Sequence, residues 1–101
     1  MKSCITQQAD GLQLSGELTL ATVGQLFKNS SPLLKTMADP IHLDLSAIHL
    51  SDSAGVALLA AWVRTVRQQG KEIFLKNIPP QMWATIHVSG LTNILPITNH
   101  S

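Results

Sequence analysis

Apolar and polar residues change their period several times along this chain, and each change marks an element. Ile5 to Gln8 and Leu12 to Leu18 flank Asp10-Gly11, a pair suited to a tight reversal, which predicts an N-terminal β-hairpin. Val23, Leu26, Phe27, Ser30, Leu34 and Met37 then follow three-and-four spacing, so a first helix is expected, capped by Thr19 or Thr22 and kinked or split at Ser31-Pro32. Asp39-Pro40 turns the chain into Ile41 to Leu45, which alternates with Leu43 facing a core and His42 and Asp44 pointing the other way. A second helix is predicted from about Ala54 to Gln69, ended by Gly70, and a strand follows at Glu72 to Lys76. Pro79 or Pro80 opens a third helix that stops at Gly90, with Leu91 placed for the hydrophobic contact of such a cap. Ile94 to Ile97 reads as a short edge strand, confined there by Pro96. Without repeats or linkers, the expectation is an α/β fold. It is a single domain over residues 2–98, a small mixed sheet with flanking helices.

The second helix carries the strongest functional signal. At about 100° per residue, Val56, Leu59, Ala60, Val63 and Val66 form the expected core stripe. Ala54, Leu58, Ala61 and Trp62 fall on another side, where a surface helix would carry Lys, Glu or Gln. Two arrangements fit. Either the helix is buried all round, with the first helix covering its back, or the second apolar set is an exposed patch with Trp62 and Leu58 as anchors for another protein. The exposed patch is preferred because the polar cluster Ser51-Asp52-Ser53 stands at the start of the same helix. There, a hydroxyl of Ser51 or Ser53 or the Asp52 carboxylate can cap the first turn. A phosphoryl group on Ser53 would sit at the positive end of the helix dipole, tolerated by the fold but repelled from an apolar interface.

Composition narrows the partners. The 101 residues are 45% hydrophobic and 13% charged, enough for a modest core without disulfides or metal. Seven Lys and Arg oppose six acidic residues, and the net charge of +1 is scattered, so nucleic acid is not an expected partner. A lone Cys4 and the absence of a signal-like start point to the cytoplasm. The apolar run from Ala54 to Val63 is only about three turns, too short for direct membrane insertion.

Catalytic chemistry finds little support. His42, His49, His87 and His100 show no metal-ligand spacing with a second Cys, and Asp44, Asp52 and Ser53 lack a placed His to form an acid and nucleophile set. Gly55 stands alone, without GxxxxGK[ST] or GxGxxG, so a phosphate cradle is not indicated. Met82 and Trp83 are expected in the core rather than against a cofactor. The reading is a non-enzyme with no cofactor and no metal.

The residues Ile41-His42-Leu43-Asp44-Leu45-Ser46, then Ser51-Asp52-Ser53-Ala54-Gly55, then an apolar helix ending near Gly70 and a strand, resemble the STAS domain. The resemblance covers most of the chain. It implies a small mixed sheet with flanking helices and, by analogy with anti-sigma factor antagonists, a regulatory phosphoacceptor at Ser53. Leu14-Ser15-Gly16-Glu17-Leu18, Gly55-Val56-Ala57-Leu58-Leu59 and Gly90-Leu91-Thr92-Asn93-Ile94-Leu95-Pro96 are similar to the MlaB-like branch, with Ser53 where that branch usually has Thr and Ala54 where it has Gly or Ser. That branch implies a cytoplasmic subunit held at the inner membrane by binding the ATPase of an ABC-type phospholipid transporter, and through it the permease. Its role there is to support assembly and activity of the transporter in maintaining outer-membrane lipid asymmetry. The contact residues implied are Asp52, Ser53, Ala54, Leu58, Ala61 and Trp62. The alternative is an anti-sigma factor antagonist released from its partner kinase by phosphorylation of Ser53.

Overall fold

A computed structural model describes residues 4–8, 11–92 and 95–97. Strands β1 (Cys4–Gln8) and β2 (Gly11–Leu18) form the antiparallel hairpin, with Gln8 opposite Gly11; the turn residues between them lie outside the described set. Helix α1 (Val23–Thr36) leads to β3 (Ile41–Ser51), α2 (Ser53–Gln68), β4 (Ile73–Lys76) and α3 (Pro80–Val88). The sheet order is β1-β2-β3-β4, with β2, β3 and β4 parallel. Parallel neighbours require crossovers, and α1 and α2 supply them.

One face of the sheet is apolar and buried: Leu12, Leu14 and Leu18 from β2, Ile41, Leu43 and Leu45 from β3, Ile73 and Leu75 from β4. Alternation sends Gln13, Ser15, Glu17, His42, Asp44 and Lys76 to the other face, where they are half-buried. His42 stacks there on Phe74, with ring centroids 5.6 Å apart. Helix α2 packs across β2, β3 and β4, and α1 packs against α2.

Several elements differ from the sequence expectation. Helix α1 runs unbroken through Pro32: the Ser30 and Ser31 hydroxyls donate to the Phe27 carbonyl at 3.1 and 2.9 Å, in the turn the proline disturbs. Neither threonine caps it from N-cap geometry. Thr22 occupies that position, but its Oγ1 accepts from the Thr19 N–H at 3.0 Å and donates to the Glu17 carbonyl at 3.0 Å, holding the entry loop instead. Strand β3 is eleven residues long, extending beyond Leu45 to the polar cluster itself. Trp83 is 43% exposed, whereas Met82 is buried, because adjacent helix positions point about 100° apart. The expected last strand reduces to one parallel bridge, Leu75 with Ile97, in which the Leu75 N–H donates to the Pro96 carbonyl at 2.9 Å; Ile94 lies outside the described residues, as does His100. Gly70 and Gly90 leave their helices at positive φ, as their positions in the sequence predict.

Candidate functional site

The polar cluster sits where β3 ends and α2 begins, and each of its three residues has a different task. Ser51 is buried and tied to α3: its N–H and Oγ both donate to Gln81 Oε1, at 3.2 and 3.3 Å, while Gln81 Nε2 donates to the Ser51 carbonyl at 2.8 Å. Asp52 is the N-cap of α2. Its Oδ1 accepts from the Gly55 N–H at 3.1 Å, and its Oδ2 reaches back to accept from the Leu20 N–H at 3.0 Å. The Leu20 N–H is the chief cause that holds the Asp52 carboxyl below the usual carboxylate range; burial opposes it as the next effect in size, and the Gly55 and Ala54 N–H groups each add a smaller pull downward. With the cap supplied by Asp52, Ser53 becomes the first helical residue. It is exposed, and no hydrogen bond engages its hydroxyl among the described residues.

Gly55 explains why the helix can begin so close to the sheet. A Cβ there would lie 2.0 Å from the Leu18 carbonyl oxygen, which itself accepts from the Asp52 N–H at 3.2 Å. Only glycine lets the first turn of α2 approach the end of β2 this closely. The result is a fixed platform: β2, β3 and α3 all grip the start of α2 and leave Ser53 outward.

The structure corrects the expected contact patch. Trp62 is 1% exposed and Leu58 6% exposed, so neither is a surface anchor. Helix α1 covers that side of α2, and the Trp62 indole N–H donates to the buried Ser30 Oγ at 2.6 Å. The arrangement in which the first helix covers the back of α2 is therefore the one adopted: a buried indole needs an acceptor for its N–H, and α1 presents Ser30 at the required level. Of the residues expected at the contact, Asp52, Ser53, Ala54 and Ala61 keep some exposure; Leu58 contributes only the floor of a groove.

That groove, about 370 Å³ in volume, is what remains of the apolar patch. Val23, Gly24 and Phe27 of α1 form one wall. Ala54, next to Ser53, and Ala57 and Ala61, one and two turns beyond it on α2, form the other. Phe27 is 37% exposed, and Leu20, whose N–H is held by Asp52, is 76% exposed. Sequence reasoning missed Leu20, Phe27, Ala57 and Gln81. The signal available for Ala57 was the row of small residues Ala54, Ala57 and Ala61 at three-and-four spacing, which allows a neighbouring helix or partner to approach closely; nothing in the pattern set Leu20 or Phe27 apart. Gln81 gave none.

Comparison with known proteins identifies the fold. The family model described as Mlab, STAS domain matches residues 2–96. An anti-sigma-B factor antagonist of Staphylococcus aureus is 21% identical over 86 residues, covering 85% of this chain and 80% of the relative. Among solved structures, the anti-sigma factor antagonist SpoIIAA in its unphosphorylated form superposes with a TM-score of 0.74 at 20% identity, covering 98% of this chain and 88% of that one. The Bacillus SpoIIAA in its phosphorylated form gives 0.69 at 19% identity, with coverage of 98% and 91%. These structures share the fold from end to end, and with the family model spanning almost the whole sequence, the chain belongs to the STAS domain family.

Proposed function

We propose that this protein is a non-catalytic docking module, which binds an ATP-binding protein partner through the start of α2 and whose contact is controlled by charge at Ser53. The observation that carries this reading is the free, exposed Ser53 hydroxyl beside an apolar groove, with the capping role taken by Asp52. Asp52 has both carboxylate oxygens committed to backbone N–H groups, so it is a framework residue and not a base for Ser53. A phosphoryl group on Ser53 would add nearly two negative charges at the positive end of α2, where the fold accommodates them. The same charge beside Ala54 and Ala57 would have to be desolvated in a docked complex, which opposes association.

Two kinds of partner are consistent with this reading. The naming of the relatives favours an anti-sigma factor with kinase activity, which would phosphorylate Ser53 and release the protein. The second reading rests on the resemblance to the MlaB-like branch, whose name the matching family model carries; in it the partner is the ATPase subunit of an ABC-type phospholipid transporter and the protein is held peripherally at the cytoplasmic side of the inner membrane. Incubation with an anti-sigma kinase and ATP, followed by intact-mass measurement and peptide mapping, separates them. One phosphate on Ser53 with loss of the complex supports the antagonist reading. A stable complex with the transporter ATPase, abolished by Ala57→Asp and formed without any modification, supports the transporter reading. If Ser53→Asp and Ala57→Asp leave binding to both partners unchanged, the α2 surface is not the docking site.

A further inference from the structure

A second concavity lies along the C-terminal half of α2, with a lining that shares no residue with the groove beside Ser53, and it is independent of the docking reading. Ala60, Val63, Arg64 and Arg67 recur at three-and-four spacing along one stripe of the helix and face Leu91 and Leu95, which follow α3. Together they enclose a groove of about 490 Å³. Val63 and Leu95 are buried and Ala60 and Leu91 half-buried, so the floor is apolar. Arg64 and Arg67 stand exposed at the rim, and among the described residues no hydrogen bond or ion pair engages either guanidinium.

Arg67 has an ordinary role, since a cation in the last turn complements the helix dipole. Arg64 does not, and two like charges three residues apart repel one another. An anion placed between them would remove that repulsion and accept paired N–H donors from both guanidiniums. The groove spans residues 60–68, about 12 Å of helix, and its volume falls in the range of roughly 300–1,000 Å³ usual for small-molecule sites. A stable protein interface needs about 800 Å² from each partner, far more than this short trough offers.

We propose that this groove binds one monomeric anionic amphiphile, its alkyl chain lying on Ala60, Val63, Leu91 and Leu95 and its phosphate or carboxylate held by Arg64 and Arg67. Calorimetry on the intact protein tests it with decyl phosphate kept below its micellar concentration. Inorganic phosphate and the uncharged decyl glucoside serve as the two controls, and vesicles containing an anionic phospholipid test for a membrane source. Saturable one-to-one binding of decyl phosphate, at least tenfold tighter than either control, is expected. The doubly substituted Arg64→Gln, Arg67→Gln protein should lose at least tenfold for decyl phosphate while its melting temperature falls by no more than the few degrees that loss of the Arg67 charge at the helix end accounts for. No saturable binding, equal binding by the substituted protein, or binding to vesicles without binding of the monomer would each overturn the proposal.

Discussion

Asp52 and Ser53 are neighbours with opposite fates, and the difference rests on backbone direction. Asp52 is extended, at φ −135° and ψ −173°, so its carboxylate folds over the first turn of α2; Ser53 is already helical and its hydroxyl points out. Replacing Asp52 by Ala should cost about 1 kcal/mol in denaturant unfolding. Because hydrogen bonding from Leu20 depresses this carboxyl in the folded state, its contribution is present above the unfolded value of about 4 and is lost as pH falls further, through the folded value. The stability gap between the wild type and Asp52→Ala should therefore be constant from neutral pH to about pH 5 and shrink below about pH 4. At the Trp62 and Ser30 pair, Ser30→Ala leaves a buried indole N–H without an acceptor and should destabilise by about 1–3 kcal/mol. Trp62→Ala should cost about 3–5 kcal/mol, so any loss of partner binding it causes reports unfolding and not a lost contact. Thermal melts of both variants check this. The sequence showed that Ser51, Asp52 and Ser53 compete for the cap; choosing among them needed the position of the Leu20 N–H, which comes from a loop 32 residues away.

At the scale of elements, periodicity made α1, α2 and the start of β3 legible, because each has a stripe or alternation that an aqueous chain can satisfy only by burying it, while turn, cap and boundary residues marked the hairpin, β4 and α3. What it did not reveal were the clamps between elements. Lys71 is one: its Nζ donates to the Leu34, Lys35 and Met37 carbonyls at 3.1, 2.9 and 2.8 Å, closing the C-terminal end of α1 with a cation. Lys71→Met should lower stability by about 1–2 kcal/mol, measured by urea unfolding, since several carbonyls lose a charged donor. Gly55 is another. Its replacement by Ala forces a methyl group against the Leu18 carbonyl, so α2 must shift off β2; a loss of about 1–3 kcal/mol is expected, together with shifted amide resonances around Ser53. In sequence, Lys71 looks like a solvated charge and Gly55 like one more small residue, because the partners of both are far along the chain.

For the whole molecule, the decisive arrangement is that α2 packs on the sheet and α1 packs beside it over Leu58 and Trp62, which leaves a narrow α1/α2 groove open next to Ser53. This layering separates folding from docking. Ser53→Asp and Ala57→Asp lie outside the packed core, so each should change unfolding free energy by no more than about 0.5 kcal/mol, while either abolishes partner binding in a pull-down. The sequence by itself determined the α/β class, the order of the elements, the polar junction at residues 51–53 and the apolar excess of α2, since these follow from local period and residue chemistry. Only the tertiary structure decided how that excess is used. A helix with two apolar sides can be covered on both, and whether α1 or a partner takes the second side depends on where the crossover carries α1. Here α1 meets Trp62 with the Ser30 hydroxyl, so burial of the indole is satisfied within the chain, and what stays open beside Ser53 is a shallower strip of alanines.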